Sequence, residues 1–341
     1  VRASLPLLVA LVLAASSGVL WAFSGSAVSR EGDTRSRIIM DSSGAMVEVP
    51  LHADRIVALR AGIVEALIVL GEGDRIVGVD DGTRRGTYYD GLNALLEPRL
   101  LNLSAPVAGN SVNLEQLMAL EADIVLAGGY SRTAAIDQMM RANITMAVVH
   151  FEELENFGRD LCIIGAIVDR EEEAAGISSY LQEIIDFVGS RVSAIPPEER
   201  KKVYFCGYDL YHAYSGKTFE HSQIVAAGGI DVAENVTGYL PQVSPEQIVA
   251  WNPEVIFTLS GVDIEALMQD PKVGGITAIR SGQVYCMPEP GWDYGSMRSV
   301  LAVEWMASKL YPERFVDVDM MEVADLFYHK LYGIGYGGPP L

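Results

Sequence analysis

Apolar positions along this chain fall into two alternating rhythms. Short runs at 55–59 (RIVAL), 75–79 (RIVGV), 145–149, 203–206 and 283–287 read as buried strands. Between them, apolar residues recur at helical spacing over 63–70, 133–142, 222–227, 296–310 and 320–331, and 88–96 predicts a further helix or turn. Gly62, Gly71 and Gly73 punctuate the first units. Strands that alternate with helices in this way predict an α/β protein with mainly parallel sheets.

One helix–strand unit is written twice. NLEQLMALEADIVLAG at 113–128 and VSPEQIVAWNPEVIFTLS at 243–260 superpose when Glu115 is set on Glu246, 131 positions later (246 − 115). Each copy opens with a capping residue, Asn113 or Ser244, and has a glutamine three positions on, Gln116 or Gln247. That is the capping-box start of a helix, and Pro245 occupies the first helical position, where proline is tolerated. Apolar runs at 124–126 and 255–257 follow as strands. A unit repeated so far apart predicts two lobes of like build.

Residues 154–192 break the alternation: they keep helical periodicity without proline, with a break at Asp169-Arg170-Glu171, and Pro196-Pro197 ends them. A long rigid helix joining the lobes is expected, spanning ~1.5 Å per residue. The predicted organisation is an N-terminal lobe at 51–152, an interlobe helix at 153–197, a C-terminal lobe at 198–332 and a flexible tail at 333–341. Residues 29–50 are polar and read as a linker, with one β-hairpin around Ser42-Ser43-Gly44. Residues 1–28 carry Arg2, a nearly unbroken apolar run at 5–15 that continues almost to Phe23, and small residues at 24–27. This pattern fits a cleaved signal peptide or a retained membrane anchor, and either places the protein outside the cytoplasm. The segment holds no cysteine, which excludes a bacterial-type lipoprotein anchor.

Composition narrows the chemistry. The chain has 341 residues, half of them hydrophobic, and a formal net charge of −20, which argues against a nucleic-acid partner. Cys162, Cys206 and Cys286 are odd in number and far apart, so neither a disulfide framework nor a zinc site is expected. His52, His150, His212, His221 and His329 show no HxH or HxxxH spacing, so no metal site is predicted, although His212 adjoins the loop at 214–217. Ser215-Gly216-Lys217-Thr218 mimics the end of a phosphate-binding loop, but Tyr211 stands where that motif requires glycine. No GxSxG, HExxH or Cys/His pairing occurs, so no catalytic residue, cofactor or enzymatic activity is expected.

The stretch at 55–80, RIVALRAGIVEALIVLGEGDRIVGVD, resembles the opening of the substrate-binding proteins of ABC importers for iron–siderophore complexes, haem and cobalamin. The resemblance continues through NLEQLMALEADIVL, YSGK at 214–217, AAGGIDVAENV at 226–236, PQVSPEQIVAWNPEVI at 241–256, Trp292, Arg298 and LYPERF at 310–315, so it covers roughly residues 50–332. It implies two α/β lobes joined by a long helix with a ligand cleft between the lobes, and a monomeric receptor that delivers a metal chelate to a permease dimer. Membrane association would come through the N-terminus or the permease. Glu115 and Glu246 match the glutamates that dock onto arginines of the two permease subunits. Each also lies in a first helical turn, where the helix dipole alone favours a carboxylate by ~0.3–1 kcal/mol. An iron(III)–siderophore is the first ligand the resemblance suggests, with a corrinoid (cobalamin) or molybdate and tungstate as alternatives in the same role. An exported enzyme or a surface-structural protein are the readings of a different class.

By matching position, the ligand-binding candidates are Arg60, Tyr88, Tyr89, Tyr130, Tyr208, Tyr214, Tyr239, Trp292 and Arg298. Arginine offers bidentate bonding to oxyanions and carboxylates, and aromatics supply flat walls for a chelate. Ordinary packing is the competing role for each tyrosine. Arg60, between Leu59 and Ala61-Gly62, has little use in a core.

Overall fold

The computed structural model describes residues 36–86, 91–128, 133–151, 153–238 and 240–341. The apolar N-terminal segment and Tyr88, Tyr89, Tyr130 and Tyr239 lie outside them. The chain enters through β1 (Ser36–Met40) and β2 (Met46–Pro50), an antiparallel hairpin. The first lobe follows in the order β3 (Ile56–Ala58), α1 (Ala61–Val69), β4 (Ile76–Asp80), α2 (Asp81–Arg85), α3 (Gly91–Leu96), β5 (Ser104–Ala108), β6 (Ser111–Val112), α4 (Leu114–Met118), β7 (Ile124–Ala127), α5 (Thr133–Arg141) and β8 (Met146–Val148). Helices α6 (Phe157–Val168) and α7 (Glu171–Val192) lead to the second lobe. That lobe comprises β9 (Lys202–Cys206), α8 (Phe219–Ala226), β10 (Ile230–Asp231), α9 (Pro245–Trp251), β11 (Val255–Thr258), α10 (Ile264–Met268), α11 (Thr277–Ser281) and β12 (Val284–Cys286). Helices α12 (Ser299–Leu310) and α13 (Met320–Tyr332) complete the chain's regular structure.

The two sheets carry the duplication seen in the sequence. One has the order β6-β5-β4-β3-β7-β8 and the other β10-β9-β11-β12; every pairing is parallel except β5 with β6. Strands β4-β3-β7-β8 thus correspond to β10-β9-β11-β12. Strands β7 and β11 keep the 131-residue offset (255 − 124), and both are buried along their whole length. Neighbouring parallel strands buried on both faces explain why these segments read as unbroken apolar runs rather than alternating ones. The largest hydrophobic cluster runs from α1 through α6 and α7 into β9, β11, α12 and α13, so the lobes share one core.

Three expectations are corrected. The interlobe helix at 153–197 is not one spine but two helices packed along each other, α6 against α1 and α7 against α8 and α12. The turn between them is made by Asp169, in the left-handed region at φ 60°. Close packing needs Gly165, where a Cβ would lie 2.4 Å from the Ala174 Cβ. Residues 36–50 of the expected linker are instead tied into the first lobe and the α6–α7 turn. Ser42 N donates to Val148 O at 2.9 Å, Val148 N donates to Asp41 Oδ2 at 3.0 Å, and Arg37 meets Asp169 and Glu171 at 3.1 and 3.2 Å. The tail at 333–341 is not loose: Tyr336 packs on Trp292 and Tyr328, and its N–H donates to Asp325 Oδ1 at 3.0 Å. Tail residues are mostly glycine, proline and tyrosine, so no periodicity announces this contact.

Candidate ligand seam between the two sheets

Arg60 lies two residues past β3 and holds the N-cap position of α1 in an extended conformation, with its side chain reaching Tyr294 of the second lobe. It is 5% exposed, its guanidinium lies 4.6 Å from the ring centre of Tyr294, and Nη2 donates to Phe151 O at 3.4 Å. A cation against an aromatic face is held electrostatically, more strongly as water is excluded. Tyr294 belongs to the loop at 290–298 that follows β12, so the end of one central strand and the loop of the other sheet meet here. Two glycines permit the approach. A Cβ on Gly62 would fall 2.2 Å from Gly295 O, and one on Gly295 would fall 2.1 Å from Phe151 O.

Behind this junction sits a buried polar network. Glu65 of α1, 1% exposed, accepts from Met297 N at 3.2 Å and from the Tyr332 hydroxyl at 2.6 Å. Its other oxygen faces Arg298 Nη2 at 3.6 Å, and Arg298 Nη1 donates to Pro290 O at 3.0 Å. Burial opposes the Arg298 charge most strongly, but Glu65, Tyr332, Tyr328 and Glu289 together outweigh it and hold the guanidinium above the usual arginine range. Asp293, in the same loop and nearly inaccessible, is pushed up to about 6 by burial, although it accepts from Gly291 N at 3.1 Å. The junction therefore sets Arg60 and one partly exposed tyrosine beside a buried network of paired donors and acceptors.

The structure sorts the sequence candidates. Arg60 stands at the junction, and Tyr208, just past β9, is 58% exposed. Tyr214 is buried edge-on to Phe205, ring centres 5.4 Å apart. Trp292 is fully buried, donates Nε1 to the Tyr328 hydroxyl at 3.4 Å, and accepts on its carbonyl from Gln223 at 2.6 Å. Both side chains are buried in the core that the lobes share. Arg298 is 3% exposed and turned to Glu65. Tyr294, Phe151 and Glu65 were not singled out from sequence. Glu65 left a signal, a lone carboxylate in the apolar run 63–70; Tyr294 left one only in standing between Trp292 and Arg298.

Glu115 and Glu246 are both exposed and both lie in the first turn of their helices. Asn113 accepts from Gln116 N at 3.0 Å and Ser244 from Gln247 N at 3.1 Å, so the two caps match. The Gln116 side chain does not reach back to close the capping box; it donates to Ser104 Oγ at 2.7 Å. A cavity of about 450 Å³, lined by Tyr211, Gln242, Val243, Ser244, Pro245 and Lys272, opens beside Glu246. A second, of about 350 Å³, lies between the Ser42–Ser43 hairpin tip, His150 and the start of α6. Among the described residues, neither is lined by a predicted ligand residue. His212 is paired with Asp209 at 2.9 Å. Among the described residues no group of three His, Cys, Asp or Glu side chains converges as metal ligands, and no helix is long and apolar enough to cross a membrane. Burial raises all three thiols, Cys206 to about 12, which leaves them protonated and poorly nucleophilic.

Two like α/β lobes on a shared core, with strand ends and loops meeting in a seam, define a two-lobed solute-binding protein. Residues 56–290 match the family described as periplasmic binding protein, and the chain belongs to that family, whose members are non-enzymatic, extracytoplasmic substrate-binding components of ABC importers. The molybdate-binding protein MolA of Haemophilus influenzae is 27% identical over 331 residues, 88% of this chain and 92% of the relative. A cobalamin-binding protein of Halobacterium salinarum is 28% identical over 234 residues, 67% of this chain and 59% of the relative. The solved structure of MolA bound to molybdate superposes with a TM-score of 0.78 at 24% identity, covering 89% of this chain and 100% of that one, a likeness of fold.

Proposed function

We propose that the seam beside Arg60 and Tyr294 captures an anionic, metal-containing solute and that the loaded protein docks on a permease dimer through Glu115 and Glu246. One observation carries the ligand reading: an arginine beside a partly exposed tyrosine where the lobes meet. A planar guanidinium held against an aromatic ring is prearranged to bind an oxyanion or carboxylate bidentately. Molybdate or tungstate stands first, because the similarity to MolA runs nearly the length of both chains. An iron(III)–siderophore stands second, favoured by the aromatic surface that Tyr294 and the exposed Tyr208 add. A corrinoid, which offers little negative charge to an arginine, is less suited.

Thermal denaturation of the chain from Ser29 onward, with molybdate, tungstate, a ferric siderophore and cobalamin in turn, tests the reading. A ligand at 100 times its Kd stabilises by ~2.7 kcal/mol. Arg60→Ala should abolish the shift given by the true ligand. Stabilisation by cobalamin alone, unaffected by Arg60→Ala, would refute the anionic reading. Docking has its own test, given below.

A further inference from the structure

The seam loop at 290–298 is also held by the tail that follows α13. Tyr336 packs against Trp292 with ring centres 6.1 Å apart, and edge-on to Tyr328 at 5.2 Å. Tyr328 in turn stands edge-on to Tyr332 at 5.2 Å, accepts from Trp292 Nε1 at 3.4 Å and donates to Glu289. Tyr332 closes the column by donating to Glu65 at 2.6 Å, and Glu65 also accepts from Met297 N in the loop. The loop is thus pinned at Trp292 by one end of a tyrosine column and at Met297, through Glu65, by the other. The residue presented between the two pins is Tyr294, with its ring against Arg60.

We propose that Tyr336 is a positioning residue: it locks Trp292 and so fixes the loop that sets Tyr294 against Arg60. Packed aromatic rings have few alternative arrangements, so a loop anchored on them is prearranged for ligand. Tyr336 is only partly buried, and it lies beyond the last helix, so its side chain can be cut back while α13 stays whole. The ligand part of this proposal rests on the seam reading above; the positioning part does not.

The experiment compares the wild-type chain with Tyr336→Ala, Tyr336→Phe and Arg60→Ala. Hydrogen exchange of the peptide covering 289–298, measured without ligand, should quicken at least tenfold in Tyr336→Ala and stay at the wild-type rate in Tyr336→Phe. Molybdate affinity by calorimetry, at a temperature where every variant is folded, should weaken about tenfold in Tyr336→Ala and be kept in Tyr336→Phe. A Tyr336→Ala protein whose loop exchanges at the wild-type rate overturns the proposal, whatever its melting temperature. If the loop loosens but neither Tyr336→Ala nor Arg60→Ala changes molybdate binding, the seam reading fails and the positioning role stands. If Arg60→Ala weakens binding while Tyr336→Ala loosens the loop without effect on affinity, the link from loop to ligand fails.

Discussion

Glu65 and Arg298 face each other at 3.6 Å with almost no exposure, one on the first helix of the first lobe and the other at the head of α12. The pair joins elements 233 positions apart (298 − 65) and lies directly behind the seam. A buried ion pair adds little net stability over an apolar replacement, but breaking it on one side is costly. Its clearest consequence is positional: it allows one registration of α1 on the loop at 290–298.

Replacing Glu65 by alanine should therefore destabilise the protein by ~3–5 kcal/mol, because Arg298 would stay buried without its facing carboxylate. Glu65→Gln keeps an acceptor for Met297 N and Tyr332 and should lose less. Urea denaturation midpoints decide between them. Equal losses in the two variants would show that the charge plays no part.

Gly62→Ala is expected to be disruptive although alanine is the better helix former. The added methyl would meet Gly295 O at 2.2 Å, backbone against a new side chain, and neither can swing away. A cost of ~1–3 kcal/mol follows for overpacking, together with weaker ligand binding as the lobes are forced apart at Arg60. A variant with unchanged melting temperature and affinity would mean that the two lobes are not in contact there.

Glu304, on the buried face of α12, is pushed up to about 7 by burial, with Arg191 pulling it partly back. The folded state thus holds its proton more tightly than the unfolded chain, whose glutamate titrates near 4.5. The stabilising effect of the proton is complete below that value and is lost as pH rises through about 7. Between pH 5 and 8 the wild-type protein should lose stability on the order of 2–3 kcal/mol from this group, and Glu304→Gln should remove the loss. Melting curves across this range check the sign; a wild type that gains stability over the same interval by an amount that Glu304→Gln abolishes would contradict it.

Charge reversal at Glu115 and Glu246 should abolish cargo uptake in cells that carry the cognate permease while leaving ligand affinity in solution intact. Both carboxylates are exposed, and each occupies the same place in a repeated helix, so one can meet each subunit of a two-fold partner. Either reversal alone should also lower the ionic-strength dependence of docking. Normal uptake by the double variant would end the docking reading.

Much of the architecture was legible beforehand. The repeat, its caps and its strands fell at the expected offset, because capping chemistry and buried parallel strands both leave local marks. The break at Asp169 was equally legible, though not its outcome: whether two helices continue or fold back depends on Gly165 meeting Ala174, a contact between residues that no local pattern links. The burial of Tyr214 and Trp292 was not legible, for a related reason. A loop aromatic has the same local signature whether it lines a cleft or closes a core, and only the packing of α8 and α13 beneath them settles it.

By itself, then, the order of residues determined two like α/β halves, a strongly acidic composition and the two matching glutamates. These follow from periodicity, charge and spacing, which act over a few turns of chain. Only the tertiary structure decided which arginine reaches the seam, that Tyr294 meets it, that Glu65 holds Arg298, and that the tail bears on the loop. Those relations join residues far apart in sequence, and their energy comes from excluding water around specific pairs once the lobes have closed on one core.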